Sequence, residues 1–270
     1  MSNGIAGPIL KVEDLKKNFL VGGQDLAVLK GISLNVNQGD FAIIFGPSGC
    51  GKSTLLHTIL GMERPSSGKV FLDQTDLYAM DEDGIVRHRK ERIGVVFQQS
   101  IWIKSLNVIE NVSFPNRLKG MDKQKAEDLA MQVLTDLKLL NWARHHPNEL
   151  SSGQQQRVSL ARALTIDPLM IVADEPTGNL DTVTGDELME LLASLNREKK
   201  KTVLMVTHDL EYLRYANKLF HIIDGQMVEE MEGRAIEKMS LELRNKKGAR
   251  TKTTVRDKDF LSKDGKKYAA

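Results

Sequence analysis

In the stretch Gly46-Pro47-Ser48-Gly49-Cys50-Gly51-Lys52-Ser53-Thr54, the eight residues from Gly46 to Ser53 fit the pattern G-x-x-x-x-G-K-[ST] without a mismatch. The pattern is that of a phosphate-binding loop. Glycines let successive backbone N–H groups turn toward one point, and a helix opening behind them adds the positive end of its dipole. Lys52 can then reach the outer phosphates of a nucleoside triphosphate, and the Ser53 hydroxyl can ligate Mg2+. A glycine loop also arises by chance, but the flanks argue against that. Phe41–Phe45 reads as a short buried strand and Thr54–Leu60 as the start of an apolar helix. Cys50 lies inside the loop near that helix start, a place that favours a reactive thiolate, so maleimide is expected to reach it. By itself the loop says only that a nucleoside triphosphate binds.

What happens to the phosphate depends on other residues. Leu169–Ala173 is an apolar run ending in Asp174 and Glu175. A carboxylate at a strand end behind a phosphate loop can hold Mg2+, the reading for Asp174. Glu175, on the strand's other side by simple alternation, is placed to accept a proton from water as a general base. Gln98 follows the β-branched run Ile93–Phe97, where a neutral amide can ligate Mg2+ and orient water. His208 follows Thr202–Thr207, at the strand end where α/β sheets carry their ligands, and can hydrogen-bond a γ-phosphate. A strand ending in Asp-Glu and a lone histidine are both common, and each gains meaning only beside the loop.

Leu150-Ser151-Ser152-Gly153-Gln154 opens a helix with a hydroxyl and a glycine, leaving backbone donors at its positive end. This has the makings of a second phosphate site in a chain with one phosphate loop. An ordinary capped helix fits the same residues.

Taken together, these stretches resemble the ATP-binding subunits of ABC transporters, over about Ile9 to Glu230, roughly four-fifths of the chain. Gly46–Thr54 looks like the Walker A loop, Gln98 the Q-loop, Leu150–Gln154 the signature, and Leu169–Asp174 the Walker B strand. Glu175 resembles the catalytic base, Gly178-Asn179-Leu180-Asp181 the D-loop and His208 the switch histidine. Phe19 stands where the family stacks an aromatic ring on adenine. The resemblance implies ATP and Mg2+ as ligands and a head-to-tail pair of such subunits, a homodimer by preference. In that pair Ser151, Gly153, Gln154 and Asp181 of one copy would serve the nucleotide of the other. It also implies transmembrane subunits docking near Gln98–Ser113, where Ile101, Trp102 and Ile103 would otherwise be exposed or pack internally. Ala173–Asp181 is similar to the branch that serves lipoprotein release, macrolide and peptide efflux and the cell-division ABC complex. Ser152 departs from that branch, which usually has glycine there, and activity is expected to survive the change.

The elements that must position these residues follow from periodicity. Ile9–Leu15 and Leu26–Val36 alternate like half-buried strands around Gly22-Gly23; Pro65–Gly68 reads as a turn and Lys69–Leu72 as a strand. Residues 81–92 read as a charged surface helix, and Asp122 caps a helix whose stripe is Ala126, Leu129, Ala130, Val133, Leu134 and Leu137. A helix over Gly153–Leu164, another through Leu188–Leu195 and a hairpin around Asp224-Gly225 complete the pattern. Strands alternating with helices predict an α/β fold. It comprises a P-loop NTPase core with a parallel sheet, an antiparallel β subdomain and a helical subdomain inserted over about residues 99–165. The ATP-binding domain is expected over residues 1–230, with a C-terminal extension over 231–270.

The totals narrow the function class. The chain of 270 residues is 41% apolar, enough for a sizeable core, and its net charge of +2 disfavours a whole-surface nucleic-acid binder, so no nucleic-acid partner is expected. The charge is uneven: residues 244–270 carry ten Lys/Arg against three Asp/Glu, a net of +7 that leaves −5 for residues 1–243. Beyond about Gly248, Ala249–Ala270 has the composition of a flexible tail, and its basic charge suits solvated disorder or attraction to anionic lipid. One cysteine excludes an internal disulfide and a cysteine-cluster metal site. No apolar run approaches the ~18 residues of a membrane span, and no signal-peptide core is visible, so a cytosolic protein is the default expectation; the resemblance implies a peripheral place on the cytoplasmic face of the membrane. The leading expectation is the energy subunit of a membrane transport complex. Two others stand beside it: an ATPase driving a non-transporting complex that regulates an extracytoplasmic enzyme, and a soluble ATPase of translation or DNA repair.

Overall fold

The computed structural model describes residues 7–236, 238 and 239. The basic tail and most of the expected C-terminal extension lie outside them. In chain order the elements are β1 (Leu10–Val21), β2 (Gln24–Val36), β3 (Phe41–Phe45), α1 (Lys52–Ile59), β4 (Ser67–Leu72), β5 (Thr75–Asp76), α2 (Glu82–Arg92) and β6 (Ile93–Phe97). Then follow α3 (Val108–Leu118), α4 (Lys123–Asp136), α5 (Ser152–Leu164), β7 (Met170–Asp174), α6 (Thr182–Lys199), β8 (Thr202–Thr207), β9 (Lys218–Ile223) and β10 (Gln226–Glu232).

The strands form two sheets. A four-stranded antiparallel sheet has the order β2-β1-β4-β5, and a six-stranded sheet the order β10-β9-β3-β8-β7-β6. In the second sheet β9, β3, β8, β7 and β6 run parallel, and β10 returns antiparallel beside β9. The β9–β10 turn is Asp224-Gly225, with φ of 48° and 76°. Two left-handed residues suit the twist of a two-residue hairpin. One detail differs from the sequence reading: β4 starts at Ser67, so the turn after Pro65 is shorter than expected. Gly68 enters the strand because its backbone passes the β1 bulge at Asp14, where a Cβ would lie 2.5 Å from the Asp14 carbonyl oxygen.

Every residue of β3 is buried, as a central parallel strand requires. Its alternation divides the core. Phe41, Ile43 and Phe45 face a cluster that includes Val112, Leu134, Leu160 and Leu192 from the helices. Ala42 and Ile44 face the other side, where Leu55, Leu56 and Ile59 of α1 meet Leu34, Ile32 and Leu10 of the antiparallel sheet. α1 is therefore packed between the two sheets, and the loop before it is fixed from both sides. Between β6 and β7 the chain makes α3, α4 and α5. Asp122 caps α4 through Gln124 and Lys125, and Ala126, Ala130 and Leu134 are its buried stripe.

Helix α5 lies so close to β6 that Gly94 has no room for a side chain: a Cβ there would sit 2.4 Å from the Ala163 carbonyl oxygen. Gly94→Val should therefore destabilise the protein by about 1–3 kcal/mol, the usual cost of overpacking. Urea denaturation should show a lower midpoint with an unchanged slope, and an unchanged midpoint would contradict this close contact.

Candidate nucleotide site

Parallel register brings the strand ends to one level. Phe45 pairs with Thr207, Asp174 with Val206, and Phe97 with Asp174. The residues that leave the sheet next are Gly46, His208, Glu175 and Gln98. Neighbouring strands lie about 4.8 Å apart, so four segments distant in sequence open onto one crevice at the carboxyl edge.

The loop is built by backbone constraint. Gly46 (φ 159°), Gly49 (φ 79°) and Gly51 (φ 100°) adopt positive φ. At Gly46 the space is also closed, because a Cβ would lie 2.0 Å from the Ile222 carbonyl oxygen. The loop is pinned from outside where Gly225 N–H donates to the Cys50 carbonyl (3.0 Å) and Lys30 N–H to the Gly225 carbonyl (2.8 Å). Pro47, Ser48 and Gly49 are exposed at the tip, and Ser53 is exposed at the first turn of α1. The helix begins at Lys52, two residues before the sequence reading placed it. Lys52 is 6% exposed, and its Nζ donates to the carbonyls of Gly46 and Pro47 at 2.9 Å each. An ammonium has three donors, so the loop orients Lys52 and leaves it a donor for an anion.

Cys50 corrects an expectation. The thiol is 3% exposed and packs in the core cluster below the loop, 3.0 Å from where a Gly46 side chain would begin. The residue contributes backbone to the loop, and its sulfur is not presented to maleimide.

Glu175 is held in an uncommon backbone conformation, φ 44°, with its N–H donating to the Val206 carbonyl at 2.9 Å. Strand alternation ends there, so it does not set the direction of the side chain. The carboxylate reaches across to the segment after β8, with Oε1 3.1 Å from His208 Nδ1. Asp174 is half-buried beside it. Burial raises its pKa above the ordinary carboxylate value, and Glu175 adds to that, whereas His57 and Lys52 pull it down. The sequence reading did not single out His57; only the packing of α1 against the sheet brings it near Asp174.

Gln98 lies against Gly178 and Asn179. A Cβ on Gly178 would be 2.5 Å from Gln98 Nε2, and Asn179 Nδ2 donates to the Gln98 carbonyl at 3.3 Å. Ser53, Gln98 and Asp174 supply a hydroxyl, an amide and a carboxylate, a hard oxygen set that fits Mg2+. The half-buried Asp174 carboxylate also gains from a cation. Among the described residues no group of three or more His, Cys, Asp or Glu side chains could hold a metal ion.

Phe19 is half-buried on β1, opposite Leu26 of β2, with Lys17 Nζ 4.7 Å from its ring centre. The same hairpin touches the loop at Val28, whose carbonyl oxygen would be 3.0 Å from a Cβ on Gly51.

The second phosphate-type cap stands apart. Ser151 caps α5: its Oγ accepts from Gln154 N–H (3.3 Å), and its own N–H donates to Gln154 Oε1 (2.9 Å). Ser152 is exposed at the first helical position, where a Cβ meets no conformational penalty. Gly153 is buried, and a Cβ there would be 2.0 Å from Thr184 Cγ2. Thr184 is fixed in turn by Asp181, which caps α6: Oδ1 accepts from Thr184 N–H (3.0 Å) and Oδ2 from its hydroxyl (2.8 Å). These bonds depress the Asp181 pKa. Among the described residues no hydrogen bond or ion pair joins Ser151–Gln154 to Gly46–Thr54. Thr184 was not singled out in the sequence, although Asp-x-x-Thr at a helix start is a readable cap signal.

The segment after Gln98 divides. Ile101 is 67% exposed, and Ile103 37%. Trp102 packs inward, its indole N–H donating to Gln155 Oε1 (3.1 Å) and the Arg162 guanidinium 4.7 Å from its ring centre. Among the described residues no helix is long and apolar enough to cross a membrane.

Comparison with known proteins gives a consistent result. A family model described as "ABC transporter" matches residues 29–178. An ATP-binding protein of Methanocaldococcus jannaschii, MJ0796, is 39% identical over 82% of this chain and 96% of its own length. A lipoprotein-releasing system ATP-binding protein, LolD 1 of Chlorobium chlorochromatii, is 39% identical over 81% of this chain and 90% of its own length. The dimeric structure of a post-hydrolysis state of the MJ0796 cassette, bound to ADP and Pi, superimposes with a TM-score of 0.77 at 38% identity, over 83% of this chain and 98% of that one.

The Gly153–Thr184 approach is testable by a pair of substitutions. Gly153→Ala should lower the thermal midpoint, and adding Thr184→Ser should restore most of it, because serine removes Cγ2 and keeps the hydroxyl bonded to Asp181. Additive losses in the double variant would show that the two residues do not meet.

Proposed function

Since the chain belongs to the ABC transporter family, we propose that it is the peripheral energy subunit of a membrane complex, in which two copies close on ATP and hydrolysis reopens them. Its reaction is ATP hydrolysis. The observation that carries the reading is the Glu175–His208 contact of 3.1 Å, set at the level of the phosphate loop.

The proposed residue roles are consistent with that geometry. The loop N–H groups, the start of α1 and Lys52 hold the triphosphate. When bound, Mg2+ would offset phosphate charge, with Ser53, Gln98 and Asp174 as its protein ligands. Glu175 takes the proton of the attacking water, and His208, within hydrogen-bond distance of Glu175, fixes that carboxylate and meets the γ-phosphate. Phe19 offers its ring to adenine. Ser151, Gly153, Gln154 and Asp181 act on the nucleotide of the second copy; the dimeric state of the solved cassette supports that. The exposed Ile101 and Ile103 support docking of a transmembrane subunit over residues 98–113. Similarity to a lipoprotein-releasing ATP-binding protein supports export or extraction of a substrate through the membrane partner.

Glu175→Gln keeps the shape of the side chain and removes the proton acceptor. Hydrolysis should fall by a factor of ~10² or more, within the range for loss of a general base. ATP should still bind, and gel filtration with Mg-ATP should show a stable dimer. Lys52→Ala should instead abolish turnover and dimer formation together. Wild-type turnover in the Glu175→Gln protein would falsify the mechanism.

A further inference from the structure

Gln156 is 3% exposed, and its side chain joins three segments of the site. Its amide Nε2 donates toward the carbonyl oxygens of Phe97, Gln98 and Pro176, each at 3.0 Å. Its Oε1 accepts from Ser100 Oγ at 2.9 Å. The surroundings fix which end of the amide is which: three carbonyls require a donor, and only the hydroxyl can face the oxygen. These carbonyls lie at the end of β6 and just after β7, where both strands leave the sheet ladder. A buried carbonyl without a donor is costly, and the two N–H groups of Gln156, with Asn179 Nδ2 at the Gln98 carbonyl, replace donors that the ladder no longer supplies.

We infer that Gln156 is a positioning residue for ATP hydrolysis, holding Gln98 and the Glu175-Pro176 segment in register with each other and with the signature helix. It touches no reacting atom. It grips the carbonyl of Gln98 itself and that of Pro176, the residue after Glu175. It does so from α5, whose capped end carries Ser151 and Gly153. A shift of α5 is thereby passed to the water-activating residues of the same chain. The inference rests on the roles proposed above for Glu175 and Gln98.

The test uses the full-length protein. Gln156→Met keeps length and volume and removes every polar contact. Ser100→Ala removes only the bond that orients the amide. Asn116→Leu is the control: Asn116 is also a buried amide, 3% exposed, and donates to the Thr165 carbonyl at 2.8 Å, away from the site. Gln156→Met and Asn116→Leu should lower the thermal midpoint alike. Only Gln156→Met should lower kcat, by about tenfold or more, as for small misplacements of catalytic groups. Its KM for ATP should stay within about twofold, since Lys52 and the loop are untouched. Ser100→Ala should lower kcat to an intermediate value. A kcat for Gln156→Met equal to that of Asn116→Leu would overturn the inference. Should Gln156→Met fail to fold, Ser100→Ala decides, and an unchanged kcat there overturns it. A Glu175→Gln arm separates the two levels. If that variant is inactive while Gln156→Met is normal, only the role of Gln156 falls; if Glu175→Gln is active, the reading beneath it falls.

Discussion

The site depends on the register of the parallel strands around β3. Backbone hydrogen bonds fix Phe45 beside Thr207, Val206 beside Asp174 and Asp174 beside Phe97. A parallel ladder cannot slip by one residue without turning a buried strand's side chains to the opposite face. Here the two faces meet different cores, Phe41, Ile43 and Phe45 on one and Ala42 and Ile44 on the other. Hydrophobic packing thus locks the register, and the register brings the phosphate loop, Gln98, Asp174-Glu175 and His208 to one edge.

Absent side chains matter as much as present ones. Gly46 lets the loop pass the Ile222 carbonyl, Gly94 lets α5 settle on β6, Gly153 admits Thr184, and Gly178 makes room for the Gln98 amide. Each is a place where two elements approach more closely than a Cβ permits. Gly46 and Gly94 lie against backbone carbonyls, which yield less than flexible side chains, whereas Gly153 and Gly178 lie against the side chains of Thr184 and Gln98.

Helix α5 is the common support of these parts. Its capped start presents Ser151 to the surface, its second turn grips Gln98 and Pro176 through Gln156, and Gln155 and Arg162 hold Trp102. Arg162 adds a bond to the Ile101 carbonyl at 2.5 Å, and from α3 the Asn111 amide holds Ile103 and Leu106. The segment with the exposed Ile101 and Ile103 is thus strapped to the helix that carries the signature. Under the proposed function, force applied at that segment passes directly to α5.

The sequence by itself determined the local elements and the chemistry of their ends. The glycine loop before α1, the strand Ile93–Phe97, the Asp122 cap and the turn at Asp224-Gly225 rest on periodicity, turn residues and caps, which act over a few positions. These signals are local, so they can be read without knowing what lies opposite. Tertiary structure decided which residues meet. The sheet order set Glu175 against His208, and helix packing set Gly153 against Thr184 and buried Gln156 among three carbonyls. A glutamine in a polar helical run reads as a surface residue, and a cysteine in a loop reads as reactive. Gln156 became a buried clamp and the Cys50 sulfur part of the core because burial depends on the neighbouring element, which local sequence does not specify.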